Sequence, residues 1–120
     1  MLSRRDRYWS AVAHFFIVPV MLLGVFTPYG LAAVIPPIVT IAVAIMVKNK
    51  SGYLSFQFVQ AIIYQTLTFV IFFLIATAEP LDVTFLLIAT LVGIVAAISC
   101  IFGVNFKYPI LGSMVERSVR

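Results

Sequence analysis

All eight Lys and Arg side chains fall in three short stretches that flank long apolar runs. Arg4, Arg5 and Arg7 precede the first run, Lys48 and Lys50 follow the second, and Lys107, Arg117 and Arg120 follow the fourth. Glu79 and Asp82 lie together between the third and the fourth. This segregation constrains the fold more than any other property of the chain, because four crossings of a bilayer put every cation on one side and the acidic pair on the other. The positive-inside rule then places both termini in the cytoplasm, at an inner (cytoplasmic) membrane.

A chain that is 63% hydrophobic and 10% charged, with a mean hydropathy of +1.16, lies outside the range of soluble domains. Four spans of about 20 residues each leave too little for a separate soluble domain. Residues 1–120 therefore read as a single transmembrane domain. The net charge of +4 does not point to nucleic acid, since the cations are spread over membrane flanks with no basic face or aromatic ladder. Orientation and contact with anionic headgroups account for them, which makes membrane lipids the first expected partners. The lone Cys100 excludes an intramolecular disulfide and reads as a small packing residue. Ser3-Arg4-Arg5 superficially resembles a twin-arginine signal, but Arg7 and Tyr8 occupy positions where such a signal carries apolar residues. No small-residue cleavage site follows, so the first run is expected to stay as an anchor.

The expected spans run over about 9–26, 31–47, 53–77 and 83–103. Tyr8 and Trp9 open the first at headgroup level, and Pro19 should kink it at mid-span. Thr27-Pro28-Tyr29-Gly30 reads as an uncharged tight turn, making spans one and two a hairpin. Pro36-Pro37 should interrupt span two and leave carbonyls to be satisfied by neighbouring protein. In span three Gln57, Gln60, Tyr64 and Thr68 share an arc of about 80°, a polar stripe that must face protein. It reads either as interhelical glue or as the wall of a polar path. Asp82 is a candidate N-cap for span four, with Glu79 beside it in a solvated outer loop. Ala89, Gly93 and Ala97, spaced four apart, form a face for close helix packing. Apolar Ile110, Leu111, Met114, Val115 and Val119, opposite Glu116, Arg117 and Arg120, make 106–120 an expected interfacial segment.

His14 is the only histidine, at a depth similar to Gln57 and Gln60, and is expected to join them in a hydrogen-bonded cluster of spans one and three. One His without further ligands builds no metal centre. No phosphate loop, catalytic triad or pair of carboxylates within one site can be assembled, so no catalytic, cofactor-binding or metal-binding residue is assigned, and no cofactor is expected. The chain matches small multidrug antiporters in size, but lacks the intramembrane ionisable group that proton-coupled export needs. Its one-sided cations also differ from the weak bias of dual-topology fluoride channels.

Several short motifs do carry a resemblance: Ala13-His14; Ile35-Pro36-Pro37 leading to Lys48-Asn49-Lys50; Gln57 to Gln65 in span three; and Tyr108-Pro109 after span four. Together they resemble a widespread bacterial family of small membrane proteins of unknown function, itself similar to the channel-type Tic translocon subunit of the chloroplast inner envelope. The resemblance covers nearly the whole chain, with Ile63-Tyr64 where the family has Asn-Phe and Val59 where it has Lys. It implies an all-α, integral membrane four-helix bundle, with both ends cytoplasmic and two antiparallel hairpins. Two functions follow as expectations: a non-catalytic accessory subunit of a larger membrane complex, of the respiratory or photosynthetic electron-transfer kind, or a transport or protein-translocation component whose polar path follows helix three.

Overall fold

The computed structural model describes residues 3–26, 34–48, 50–75, 81–103, 106–108 and 114. Among them the chain is all-helical, with α1 (Arg4–Phe15), α2 (Ile17–Phe26), α3 (Ile35–Met46), α4 (Gly52–Leu74) and α5 (Leu81–Ile101).

The first apolar run becomes two helices. Ser3 caps α1 by accepting the Asp6 N–H at 3.1 Å, which starts the helix before Tyr8 and Trp9 rather than at them. It breaks at Phe16, three residues before Pro19. A proline has no N–H for the carbonyl four residues earlier and its ring crowds that carbonyl. The carbonyl concerned is that of Phe15, the last residue of α1.

Pro36 and Pro37 do not interrupt a helix, as the sequence had suggested, but open α3 in its first turn, where a missing N–H costs nothing. The Pro36 carbonyl meets Thr40 Oγ1 at 2.9 Å. At 12 residues α3 is about 18 Å long, short of the hydrocarbon layer. Among the described residues, only α4, with 23 residues, and α5, with 21, are each long and apolar enough to cross a bilayer. Ser51 caps α4 through the Leu54 N–H. Asp82 is not an N-cap but lies inside the first turn of α5, its Oδ1 accepting the Val83 N–H at 2.8 Å. It is also buried, at 6% exposure, rather than solvated, and its charge sits at the positive end of the helix dipole. Glu79 and the 27–30 turn lie outside the described residues.

Gly103 ends α5 with φ +81 and its N–H on the Cys100 carbonyl, the left-handed stop that glycine adopts without strain. Residues 106–108 lie against the interior. The interfacial segment expected over 106–120 therefore does not include residues 106–108, of which Tyr108 is 3% exposed. Arg117 and Arg120 lie outside the described residues.

The small-residue face of α5 finds its partner within this chain. Gly93 lies against Ile17 of α2 so closely that a Cβ there would overlap Ile17 Cγ2 and stand 3.1 Å from its Cβ. Ala97 packs with Ala11 and Cys100, and α4 packs on α1 and α3 through Leu54, Phe58 and Ala61. One end of the molecule gathers the start of α1, the end of α3, the start of α4 and the end of α5. Arg5 donates to the Lys48 carbonyl, Arg7 Nη1 to the Ile101 carbonyl at 3.5 Å, and Lys50 Nζ to the Ala44 and Val47 carbonyls at 2.7 and 2.9 Å. Arg7 and Lys50 thus occupy the negative ends of α5 and α3, where unpaired carbonyls favour cations.

Candidate functional site

The interior of the bundle holds a connected polar cluster, and its geometry assigns the protons of His14, Gln57 and Tyr108. Gln57 Nε2 donates to the Phe106 carbonyl at 3.0 Å, so the other end of that amide, Oε1, is an acceptor. His14 Nε2 lies 2.7 Å from this oxygen and must carry the hydrogen. Nδ1 is then a lone pair, and it accepts the Tyr108 hydroxyl at 2.8 Å. Burial pushes the Tyr108 phenol above its usual pKa range, reinforced by Tyr64 and Cys100, so Tyr108 stays a neutral donor. Gln57 Oε1 also receives Gln60 Nε2 at 3.2 Å and the Cys100 thiol at 3.7 Å. Cys100 is thus more than an apolar filler.

Residues 106–108 close the cluster as a strap read through its backbone. Gln60 Nε2 donates to the same Phe106 carbonyl at 3.0 Å, and Gln60 Oε1 accepts the Tyr108 N–H at 2.8 Å. Two glutamine side chains three apart on α4 therefore replace the hydrogen bonds that an extended segment would find in a sheet. Aromatic contacts fix the strap laterally. The Tyr108 ring stacks on Tyr64 at 4.0 Å and 8°, while Phe106 meets Tyr108 edge-on at 5.0 Å and His14 at 6.2 Å. Tyr64 in turn donates to the Ala89 carbonyl of α5 at 2.7 Å.

A second polar station lies deeper. Gln65 Nε2 donates to the Ala13 carbonyl at 2.7 Å, and Gln65 Oε1 meets Thr40 Oγ1 at 2.8 Å, tying α4 to α1 and α3. The Ala13 carbonyl is in the last turn of α1, beside the break at Phe16, where such groups need outside partners.

Of the residues marked by the sequence, His14, Gln57 and Gln60 meet directly and Tyr64 joins through Tyr108. Thr68 stays apart, donating to the Tyr64 carbonyl of its own helix at 2.8 Å. Phe106, Tyr108, Gln65 and Thr40 were not marked for the cluster. For Tyr108 a signal existed in the Tyr-Pro pair, and Gln65 lies only about 80° around α4 from Gln57. His14, Gln57, Gln60 and Tyr108 converge on one point, while Ala13 and Gln65 meet at the second station.

His14 has both ring nitrogens engaged, so neither is available as a ligand or base. Among the described residues no group of three or more His, Cys, Asp or Glu could hold a metal ion. Comparison with known proteins finds no matching family model, no matching curated protein and no matching solved structure.

Proposed function

We propose that this chain is an integral membrane subunit that performs no catalysis of its own and packs against a larger membrane assembly. The observation that carries this reading is a bonded polar cluster inside a bundle whose outer surface is as apolar as its core. His14, Gln57, Gln60, Gln65 and Thr40 lie fully inside and bonded to protein, whereas Ile38, Ile45, Met46, Leu74, Leu87, Ile88 and Leu91 lie on the outside. A chain folding in water buries its apolar side chains; one folding in lipid has no reason to, and must instead pair its polar groups internally.

The cationic residues at one end support a bundle whose termini share the cytoplasmic side. The strap supports a structural role over a conduction path, because the amides of Gln57 and Gln60 are used on the backbone of residues 106–108 and not left facing a channel. Two apolar grooves along α5 offer seats for helices of other subunits. One, of about 450 Å³, runs past Ala11, Phe15, Pro19, Ile94, Ala97 and Ile98. The other, of about 330 Å³, lies between α4 and α5 over Tyr64 and Leu67.

The test is purification from native membranes in mild detergent. The subunit reading expects the chain to resist alkaline extraction and to migrate with larger, unrelated proteins at fixed stoichiometry. A homo-oligomer that conducts ions or peptides in liposomes would overturn it in favour of translocation.

A further inference from the structure

We infer that Tyr108 and His14 form a redox site, at which the phenol gives up one electron and one proton together to a one-electron oxidant and to the imidazole. Toward outside ligands His14 is closed, but toward Tyr108 its Nδ1 is a base already in place. The lone pair lies 2.8 Å from the phenol oxygen, within the reach that proton transfer requires. A phenol that loses an electron becomes a strong acid, and where nothing takes its proton the electron returns. Here the proton moves from Tyr108 Oη to His14 Nδ1 as the electron leaves: the O–H bond breaks, an N–H bond forms, and the products are a neutral phenoxyl radical and an imidazolium. Gln57 Oε1, 2.7 Å from Nε2, accepts the other N–H of that cation. Re-reduction sends the proton back along the same hydrogen bond, so the cycle is reversible.

The surroundings suit a radical. Tyr108 is 3% exposed, which keeps solutes away from it. Its ring lies flat on that of Tyr64, with centroids 4.0 Å apart, and both rings line the groove between α4 and α5. Overlapping π systems let an electron pass from the interior to Tyr64, the half-buried member of the pair. Tyr64 cannot itself keep the radical, because its hydroxyl donates to the Ala89 carbonyl, and an amide oxygen is too weak a base to take a proton. Oxidation that starts at Tyr64 therefore settles on Tyr108. In the cell the oxidant is a high-potential centre held by a neighbouring subunit; that supply rests on the assembly reading above, whereas the pair itself does not.

His14 is the only histidine, so histidine labelled with the heavy nitrogen isotope marks one imidazole in the whole protein. The labelled chain, in detergent, is oxidised with a flash-generated ruthenium(III) polypyridyl complex, frozen, and read by electron-nuclear double resonance. A tyrosyl radical coupled to the labelled nitrogen is expected. Tyr108→Phe should abolish that coupled signal, and Tyr8→Phe, at an exposed position on α1, should leave it unchanged. His14→Gln should slow formation of the Tyr108 radical about a hundred-fold, the low end of what a positioned base contributes. No radical in the wild type, a wild-type radical without nitrogen coupling, or a coupled signal that survives Tyr108→Phe overturns the site. The first two of these need only the unsubstituted chain, so a variant that fails to fold does not shelter the proposal. Because the oxidant is added, a chain that purifies without partners would sink the assembly reading and leave the radical to be found or not.

Discussion

A single hydroxyl decides whether His14 is satisfied in the interior of this bundle. His14 Nδ1 is a buried lone pair with one donor, the Tyr108 phenol. In Tyr108→Phe the ring can keep its stack on Tyr64, but the imidazole loses its partner, and an unsatisfied buried acceptor costs about 1–3 kcal/mol. A thermal melt in detergent should show that loss. His14→Phe, Tyr108→Phe together should cost less than the sum of the single changes, since the double variant leaves no orphan; strict additivity would show that the two groups are not coupled. Gln60→Leu should instead release the strap, because it removes both a donor to the Phe106 carbonyl and the acceptor of the Tyr108 N–H. Its readout is faster amide exchange at Tyr108. His14, Gln57 and Gln60 were legible in the sequence because a polar side chain within an apolar run must find company. Tyr108 was marked only by its Tyr-Pro pair, which does not distinguish a tyrosine that returns to the interior from one that anchors at a headgroup. Its place depends on the Gly103 turn and on receptor groups about 50 and 90 residues earlier, a matter of tertiary docking beyond periodicity.

At the scale of elements, the closest contact is between α5 and α2 at Gly93 and Ile17. Gly93→Ala adds a methyl group where Ile17 already stands, so the helices must separate or Ile17 must leave its rotamer. The expected cost is about 1–3 kcal/mol. Introducing Ile17→Ala into that variant should recover part of the loss by making room, and a double variant no more stable than Gly93→Ala would show that the strain lies elsewhere. The Ala89, Gly93, Ala97 spacing made this face legible, because small residues four apart have little use except close approach. Its partner was not legible, for spacing on one helix says nothing about which neighbour it meets. The misread of Pro36-Pro37 has a similar origin. A proline pair inside an apolar run is compatible with a broken helix or with the first turn of a new one, and hydropathy does not distinguish them. The break at Phe16 was legible to within one turn, since Pro19 acts on the carbonyl four residues before it.

For the molecule as a whole, the all-helical class was legible in the long apolar runs, whereas the expected topology rests on where charges lie and not on how side chains pack. The cations that signal orientation also serve the fold: Lys50 completes the end of α3 and Arg7 the end of α5. On the proposed membrane reading, orientation and capping reinforce each other, since the helix ends that want positive charge are the ends that the positive-inside rule would keep in the cytoplasm. The described residues between 50 and 79 form one helix of 23 residues, about 34 Å long, so the sidedness of these two positions tests whether α4 crosses. In a Cys100→Ala background, Glu79→Cys should react with an impermeant maleimide added outside spheroplasts, and Lys50→Cys only in inverted vesicles. The buried Cys100 is removed so that each variant carries one thiol. Labelling of both positions from the same side would mean that α4 does not cross. The apolar exterior, with Ile45, Met46 and Leu74 each about three-quarters exposed, would then need a protein cover in place of lipid.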